Sequence, residues 1–128
     1  MKLLIVEDNE LMRSLIKSVV YDLAETIDEC SNGKEAVEAF ERNRHNWVVM
    51  DIEMPEMDGL TATKKIKDID PNVRIIIVTQ YDSKNIKEKA IKAGAIEFIF
   101  KDNLLEIRNV LTFDKDTNAE SNENKKVL

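Results

Sequence analysis

The 128-residue sequence predicts a single α/β domain, a doubly wound fold in which helices cover both faces of a parallel sheet. Three observations indicate this class. Five short strand-like segments alternate strictly with segments of helical period. The first, third and fourth of these segments are nearly continuous apolar runs, as expected of strands that are buried on both faces. The length suits one domain with an ordinary core, because domains commonly have about 100–200 residues.

The strands are predicted from runs of apolar and β-branched residues. In chain order they are Lys2–Val6, Thr26–Cys30, Trp47–Met50, Val73–Thr79 and Ile96–Lys101. The acidic pair Glu7-Asp8 ends the first run, and Asp51 ends the third. The fourth segment is almost entirely β-branched, which favours a strand.

The helices are predicted from apolar residues that recur every three or four positions. In order, we expect one helix capped by Asp8 or Asn9, one after the turn Ser31–Gly33, one that begins at Asp58-Gly59, one over Ser83–Ala93 and a short one over Asn103–Leu111. Pro71 ends the third helix because proline cannot continue a helix. Gly94 stops the fourth. The first four helices therefore fill the intervals between successive strands, and the fifth follows the last strand.

Composition excludes several classes of protein. The single Cys30 allows no internal disulfide and no cysteine zinc cluster, and we expect it to be a small buried residue. The single His45 lies in a polar loop and is predicted to be solvated. No apolar run approaches the roughly 20 residues that cross a bilayer, and no signal peptide pattern is present. We therefore expect a cytoplasmic protein without a membrane segment.

Charge and the end of the chain add two expectations. The formal net charge is −6, which argues against direct nucleic acid binding by this chain. Residues 112–128 hold few apolar side chains and no core pattern, so we predict a polar flexible tail after a domain that spans residues 1–111.

Polar residues follow the predicted strands at their carboxyl ends: Glu7, Asp8, Asp51, Thr79 and Lys101. In a parallel sheet these ends meet at one edge. Carboxylates that share a cleft repel each other and need a cation, and hard oxygen ligands favour Mg²⁺. A lysine and a threonine beside them can hold an anionic group. The set predicts a site at which Asp51 accepts a phosphoryl group as the nucleophile.

The same residues resemble a response regulator receiver domain, the phosphoacceptor domain of two-component signalling. Val48–Leu60 is close to the phosphorylation-loop signature of that family. The resemblance is supported by three further parts of the sequence: Leu4–Asn9, Ile76–Thr79, and Gly94-Ala95 together with Phe98–Lys101. The resemblance covers about residues 1–111. It implies a flavodoxin-like (βα)5 three-layer sandwich with strand order 2-1-3-4-5.

The resemblance implies a role for each acidic residue. Asp51 takes the phosphoryl group from the phosphohistidine of a sensor histidine kinase or phosphotransfer protein. Asp8 and Asp51 bind Mg²⁺ directly, and Glu7 contributes through water. The backbone carbonyl of Glu53 is a further metal ligand. The domain is then no enzyme in the usual sense, with at most self-phosphorylation and self-dephosphorylation.

The resemblance also implies a switch. Thr79 and Lys101 contact the phosphoryl oxygens, and Phe98 matches the aromatic switch position. Phosphorylation then repacks the surface formed by the fourth helix, fifth strand and fifth helix, where a downstream protein or output domain binds. Dimerisation of the phosphorylated form is left open. Glu53 and Tyr81 lie two residues after Asp51 and Thr79, at positions that tune the dephosphorylation rate.

Four positions depart from the usual family pattern. Asp102 replaces a proline, and Glu7 stands where aspartate is common. Gln80 replaces a small residue, and Phe98 lacks the hydroxyl that many members have. Asp102 occurs in some receivers and is not disabling. Gln80 narrows access to the phosphoryl group in this interpretation.

The sequence leaves three alternative functions open. A pseudo-receiver would bind partners without being phosphorylated, although all five site residues are present. A Mg²⁺-dependent aspartyl phosphohydrolase would need a second aspartate where Glu53 stands, and its nucleophile on the first strand. A flavin binder would share the sheet order, but the acidic strand ends disfavour a cofactor phosphate without a metal, and no phosphate loop is visible.

Overall fold

The computed structural model describes residues 1–81 and 83–113. Its sheet has five parallel strands in the order β2-β1-β3-β4-β5. The strands are β1 (Lys2–Val6), β2 (Thr26–Cys30), β3 (Trp47–Asp51), β4 (Arg74–Thr79) and β5 (Glu97–Phe100). The predicted fold class and strand order are confirmed.

Helices separate the strands, and polar side chains cap four of them. They are α1 (Glu10–Val20), α2 (Gly33–Asn43), α3 (Gly59–Ile69), α4 (Lys84–Ala93) and α5 (105–113). The caps of α1 to α4 are Asn9, Asn32, Asp58 and Ser83, each of which accepts a hydrogen bond from a backbone N–H three residues later. Gly94 ends α4 with a φ of 114°, a left-handed conformation that favours glycine.

The sheet separates two apolar cores. On one face, strand residues such as Leu4 and Ile77 pack against α2, α3 and α4, for example at Phe40 and Ile66. The other face packs against α1 and α5 through a second set that includes Ile16, Val20, Ile107 and Leu111. Both faces are therefore covered, as the continuous apolar runs of β1, β3 and β4 require.

The fifth helix differs from its prediction over Asn103–Leu111. A 3-10 turn over Lys101–Asn103 follows β5, and α5 covers 105–113. The turn takes Lys101 out of the strand to which it was assigned. Residues 114–128, most of the predicted tail, lie outside the described residues. Within the described residues, no helix combines the length and the apolar character that a membrane crossing requires.

His45 also differs from its prediction. It is buried instead of solvated, and its Nε2 lies 2.6 Å from Asp28 Oδ2 on β2. This hydrogen bond lowers the pKa of Asp28 below the ordinary value. Cys30 is buried as predicted, and burial raises the pKa of its thiol to about 11.

Candidate functional site

The carboxyl edge of the sheet holds a cavity of about 360 Å³. Its lining includes all five residues that the strand ends predicted: Glu7, Asp8, Asp51, Thr79 and Lys101. Glu53, Tyr81 and Gln80 line it as well. Side chains separated by tens of positions in the sequence therefore meet because parallel strands end at the same edge.

Asp51 lies at the bottom of this cavity, at the end of the central strand β3. Its side chain is nearly inaccessible, and the residue is only 5% exposed. The backbone N–H of Ile52 donates to Asp51 Oδ1 over 2.9 Å. Burial raises the pKa of Asp51 to about 7, the charge of Glu7 adds to the shift, and Lys101 opposes it. The carboxylate is thus costly to ionise without a nearby cation.

Lys101 supplies one such cation. Its Nζ lies 3.0 Å from Glu7 Oε2 and 3.2 Å from Asp51 Oδ1. Burial lowers the pKa of Lys101, but hydrogen bonds and charges from Glu7 and Asp51 outweigh burial, so its pKa is above the ordinary value. The lysine is therefore charged and is shared between two carboxylates.

Three carboxylates face this single lysine. Oxygen atoms of Glu7, Asp8 and Asp51 all lie within 4.8 Å of one another. Glu7 is fully buried, whereas Asp8 is exposed. An all-oxygen donor set with excess negative charge suits a hard divalent cation such as Mg²⁺, which uses one or two carboxylates and keeps several waters. The residues present therefore fit the predicted ion.

Backbone contacts hold the loop that carries Glu7. The N–H of Asn9 donates to Glu7 Oε1 over 3.2 Å, and a guanidinium nitrogen of Arg13 donates to the Glu7 carbonyl over 2.9 Å. Arg13 is a supporting residue that sequence analysis missed. Its position on the first turns of α1, soon after the acidic pair, was the available signal.

Gly59 positions the loop that follows Asp51. A Cβ on Gly59 would lie 1.8 Å from the Asp51 carbonyl oxygen, and its N–H donates to the Ile52 carbonyl over 2.7 Å. Only a glycine allows the start of α3 to approach the end of β3 so closely. The Asp58-Gly59 pair therefore caps the helix and also fixes the backbone at the site.

A hydrogen-bonded bridge borders the cavity on the β4 side. Thr79 is buried, and its hydroxyl oxygen accepts from the Tyr81 N–H over 3.2 Å. The Tyr81 hydroxyl then donates to Glu53 Oε2 over 3.0 Å. Glu53 and Tyr81 were each predicted as site residues from the sequence, but the hydrogen bond between their side chains, across 28 positions, was not predicted.

Phe98 lies beside the cavity and does not line it. It is half-buried on β5 and packs against the core on the α2–α3–α4 face of the sheet. Its ring meets that of Phe100 edge to face, with centroids 5.7 Å apart.

The fold and this site define a signalling domain of the receiver class. The sequence profile of the response regulator receiver domain matches residues 3–112, and the chain belongs to that family.

Relatives agree with this assignment. Chemotaxis protein CheY of Bacillus subtilis (strain 168) is 44% identical over 101 residues, 78% of this chain and 84% of that protein. The receiver domain of AraT, a response regulator from Geobacillus stearothermophilus, has a TM-score of 0.82 at 28% identity, covering 94% of this chain and 97% of that one. CheY in the CheX-CheY-BeF3-Mg complex from Borrelia burgdorferi has a TM-score of 0.76 at 26% identity, covering 83% of this chain and 84% of that one.

Proposed function

We propose that this protein accepts a phosphoryl group on Asp51 in a Mg²⁺-dependent reaction and passes the signal on by a change of its surface. The observation that supports this most strongly is the arrangement of Asp51, Lys101 and two further carboxylates in one cavity at the sheet edge. The donor would be the phosphohistidine of a sensor histidine kinase or phosphotransfer protein.

The reaction is a phosphoryl transfer between two side chains. An Asp51 carboxylate oxygen forms a bond to phosphorus while the phosphorus–nitrogen bond of the phosphohistidine breaks. The imidazole leaves with the electron pair and takes a proton from solvent. Lys101 exchanges its contact with Asp51 for one with a phosphoryl oxygen, and the Thr79 hydroxyl donates to another. Asp8, Asp51 and the Glu53 carbonyl would hold Mg²⁺, with Glu7 contributing through water, and the ion would supply positive charge beside the phosphoryl oxygens.

The signal would leave through the surface formed by α4, β5 and α5. Thr79 ends β4, and Phe98 lies on the neighbouring strand β5. A shift of Thr79 towards the phosphoryl group would open space for Phe98 to turn inwards. This surface also exposes apolar side chains, namely Ile91, Ile96 and Leu105. Such exposure supports a protein-binding face whose shape depends on phosphorylation.

Intact mass spectrometry tests the proposal. We expect incubation with acetyl phosphate and Mg²⁺ to add one phosphoryl group to the wild-type protein. The adduct should be absent from Asp51→Asn and from a sample without metal, and it should persist in Glu10→Gln, a control that removes an exposed carboxylate next to the acidic loop.

Two other outcomes would contradict it. Failure to form an adduct with both acetyl phosphate and a kinase, together with no binding of beryllofluoride, would indicate a pseudo-receiver. Continuous release of phosphate from a general phosphomonoester would instead indicate a phosphohydrolase. The beryllofluoride measurement ensures that a short-lived adduct is not mistaken for its absence.

A further inference from the structure

Basic residues are unevenly distributed over this acidic protein. Helices α3 and α4 carry seven of the 19 lysines and arginines: Lys64, Lys65, Lys67, Lys84, Lys87, Lys89 and Lys92. The same helices carry only two acids, Asp68 and Glu88, of the chain's 25. The pair of helices is therefore strongly positive, while the rest of the chain is strongly negative.

Several cations outside α3 and α4 have acidic partners. Arg13 and Lys17 pair with Glu29, and Arg108 pairs with Asp22. Lys67 donates to the carbonyls of Pro71 and Val73 over 2.6 and 2.8 Å. The other six lysines of α3 and α4 are exposed, and within residues 1–81 and 83–113 none of them forms an ion pair.

Helical spacing places three of them along the groove between α3 and α4, which pack side by side. The Lys67 side chain lies against Gly94 at the end of α4, so its flank of α3 faces α4. Lys64, one turn earlier, shares that flank. Lys89 and Lys92 share one flank of α4. Because the strand–helix–strand crossovers and the helices themselves are right-handed, that flank faces α3.

We propose that Lys64, Lys89 and Lys92, here called the lysine groove, dock a carboxylate-rich helix of a partner protein. Lys87 and Ile91 lie on the opposite flank of α4, which belongs to the proposed output surface. The lysine groove is therefore a second interaction surface, and its use does not depend on phosphorylation of Asp51.

Two features favour a protein over a nucleic acid as the partner. The groove contains lysines and no arginine, whereas arginine's planar fork is the group best suited to bidentate phosphate contacts. The seven lysines of α3 and α4 also form a short positive region in a chain whose other residues include 12 lysines and arginines and 23 acidic residues. An acidic helix can end where the lysines end, but a nucleic acid strand that continued over the rest of the molecule would meet an excess of negative charge and be repelled.

Fluorescence anisotropy with a defined probe tests the groove. The probe is a labelled, helix-forming peptide with glutamates spaced three and four residues apart, and a scrambled peptide of the same composition serves as its control. At an ionic strength of about 0.1 M, we expect the ordered peptide to bind and the scrambled one to bind more weakly. The triple variant K64E/K89E/K92E should weaken binding about tenfold or more, because docked charge pairs are lost.

A charge-matched variant supplies the decisive comparison. K34E/K84E/K87E has the same net charge, but its substitutions lie outside the groove, so we expect it to bind nearly as well as wild type. Equal losses in both triple variants, or no binding of the ordered peptide, would overturn the proposal. Tighter binding of a single-stranded oligonucleotide of equal charge would also overturn it. Asp51→Asn should bind like wild type, which separates this test from that of the phosphoacceptor.

Discussion

At the scale of single residues, the position of Asp51 suits the phosphoacceptor role that we propose for it. The strand that carries it has neighbours on both sides, so its end is deeply buried and poorly hydrated. Burial and the nearby Glu7 make the ionised form costly, and Lys101 compensates only in part. A carboxylate in this setting gains from any additional cation, because the cation offsets the repulsion that burial has strengthened.

Asp51→Asn should stabilise the metal-free protein at alkaline pH. The folded-state pKa of Asp51, about 7, lies above its ordinary value of 3.8. The folded state therefore binds the proton more tightly, and the Asp51 contribution to stability declines as the pH rises through 7. In EDTA at pH 8, we expect the variant to exceed wild type by about 2 kcal/mol in free energy of unfolding.

The pH dependence of this gain separates it from a general stabilisation. At pH 5 Asp51 is mostly protonated in the folded wild-type protein. The difference in free energy of unfolding between Asp51→Asn and wild type should therefore be smaller than at pH 8. Urea titrations at both pH values measure it, and the exposed Asp68→Asn variant is the control. A gain that is equal at pH 5 and pH 8 would contradict the explanation.

Tyr81→Phe should shorten the lifetime of the phosphorylated form. The Tyr81 hydroxyl holds Glu53 at the border of the cavity. Loss of one hydrogen bond of about 1 kcal/mol would loosen this border and admit water more often, which corresponds to a two- to tenfold faster dephosphorylation. Decay of the adduct, followed by mass or phosphate release, measures the rate.

Tyr21→Phe is the matched control for this prediction, because Tyr21 is exposed and does not line the cavity. The phosphoryl adduct of Tyr21→Phe should decay at the same rate as that of the wild-type protein. An unchanged rate in Tyr81→Phe, or equal acceleration in both variants, would argue that the bridge has no kinetic role.

At the scale of helices and strands, predictions from sequence succeeded where local signals were strong. The nearly continuous apolar run of Lys2–Val6 predicted the observed bounds of β1, and Asp58 caps α3 as its position before Gly59 indicated. The start of α5 was predicted too early, because the polar residues after β5 form a 3-10 turn before the helix begins.

Contacts between distant residues could not be predicted in the same way. The partner of His45 is Asp28, 17 positions away on β2, and the polar neighbours of His45 gave no sign of its burial. The bond between Tyr81 and Glu53 likewise depends on how two loops approach each other. The shared location of the site residues was predictable only because parallel strands align their ends.

Asp58→Ala should weaken the start of α3 and the loop next to Asp51. Asp58 Oδ1 accepts from the Thr61 N–H over 2.8 Å, and loss of such a cap costs about 1 kcal/mol. We expect that loss in urea unfolding, together with slower phosphorylation by acetyl phosphate. Asp58→Asn should retain most of both properties, because its side-chain oxygen can still accept.

Asp68→Ala, on an exposed turn of the same helix, is the comparison variant for this change. It should leave both stability and phosphorylation nearly unaltered. If Asp58→Ala matches it in both measurements, the cap has no role in holding the loop.

At the scale of the whole molecule, Mg²⁺ should stabilise the folded state. Unfolding separates Glu7, Asp8 and Asp51, so only the folded protein offers the complete site. At a metal concentration one hundredfold above the dissociation constant, binding adds about 2.7 kcal/mol. Thermal unfolding over a Mg²⁺ series measures this as a rising Tm. Asp8→Asn should lose most of the rise, and Glu10→Gln should retain it. A similar rise in Asp8→Asn would argue against the proposed ligand set.

The strand order has a further consequence for hydrogen exchange. β3 is bonded on both sides, by β1 and β4, whereas β5 has four residues and, in the described part of the chain, only β4 as its neighbour. Backbone amides in β3 should therefore exchange slowly with deuterated solvent, and those in β5 faster. The proposed covalent event would then take place on a strand that is bonded on both sides. The aromatic ring proposed to respond to it stands on an edge strand, at the margin of the sheet.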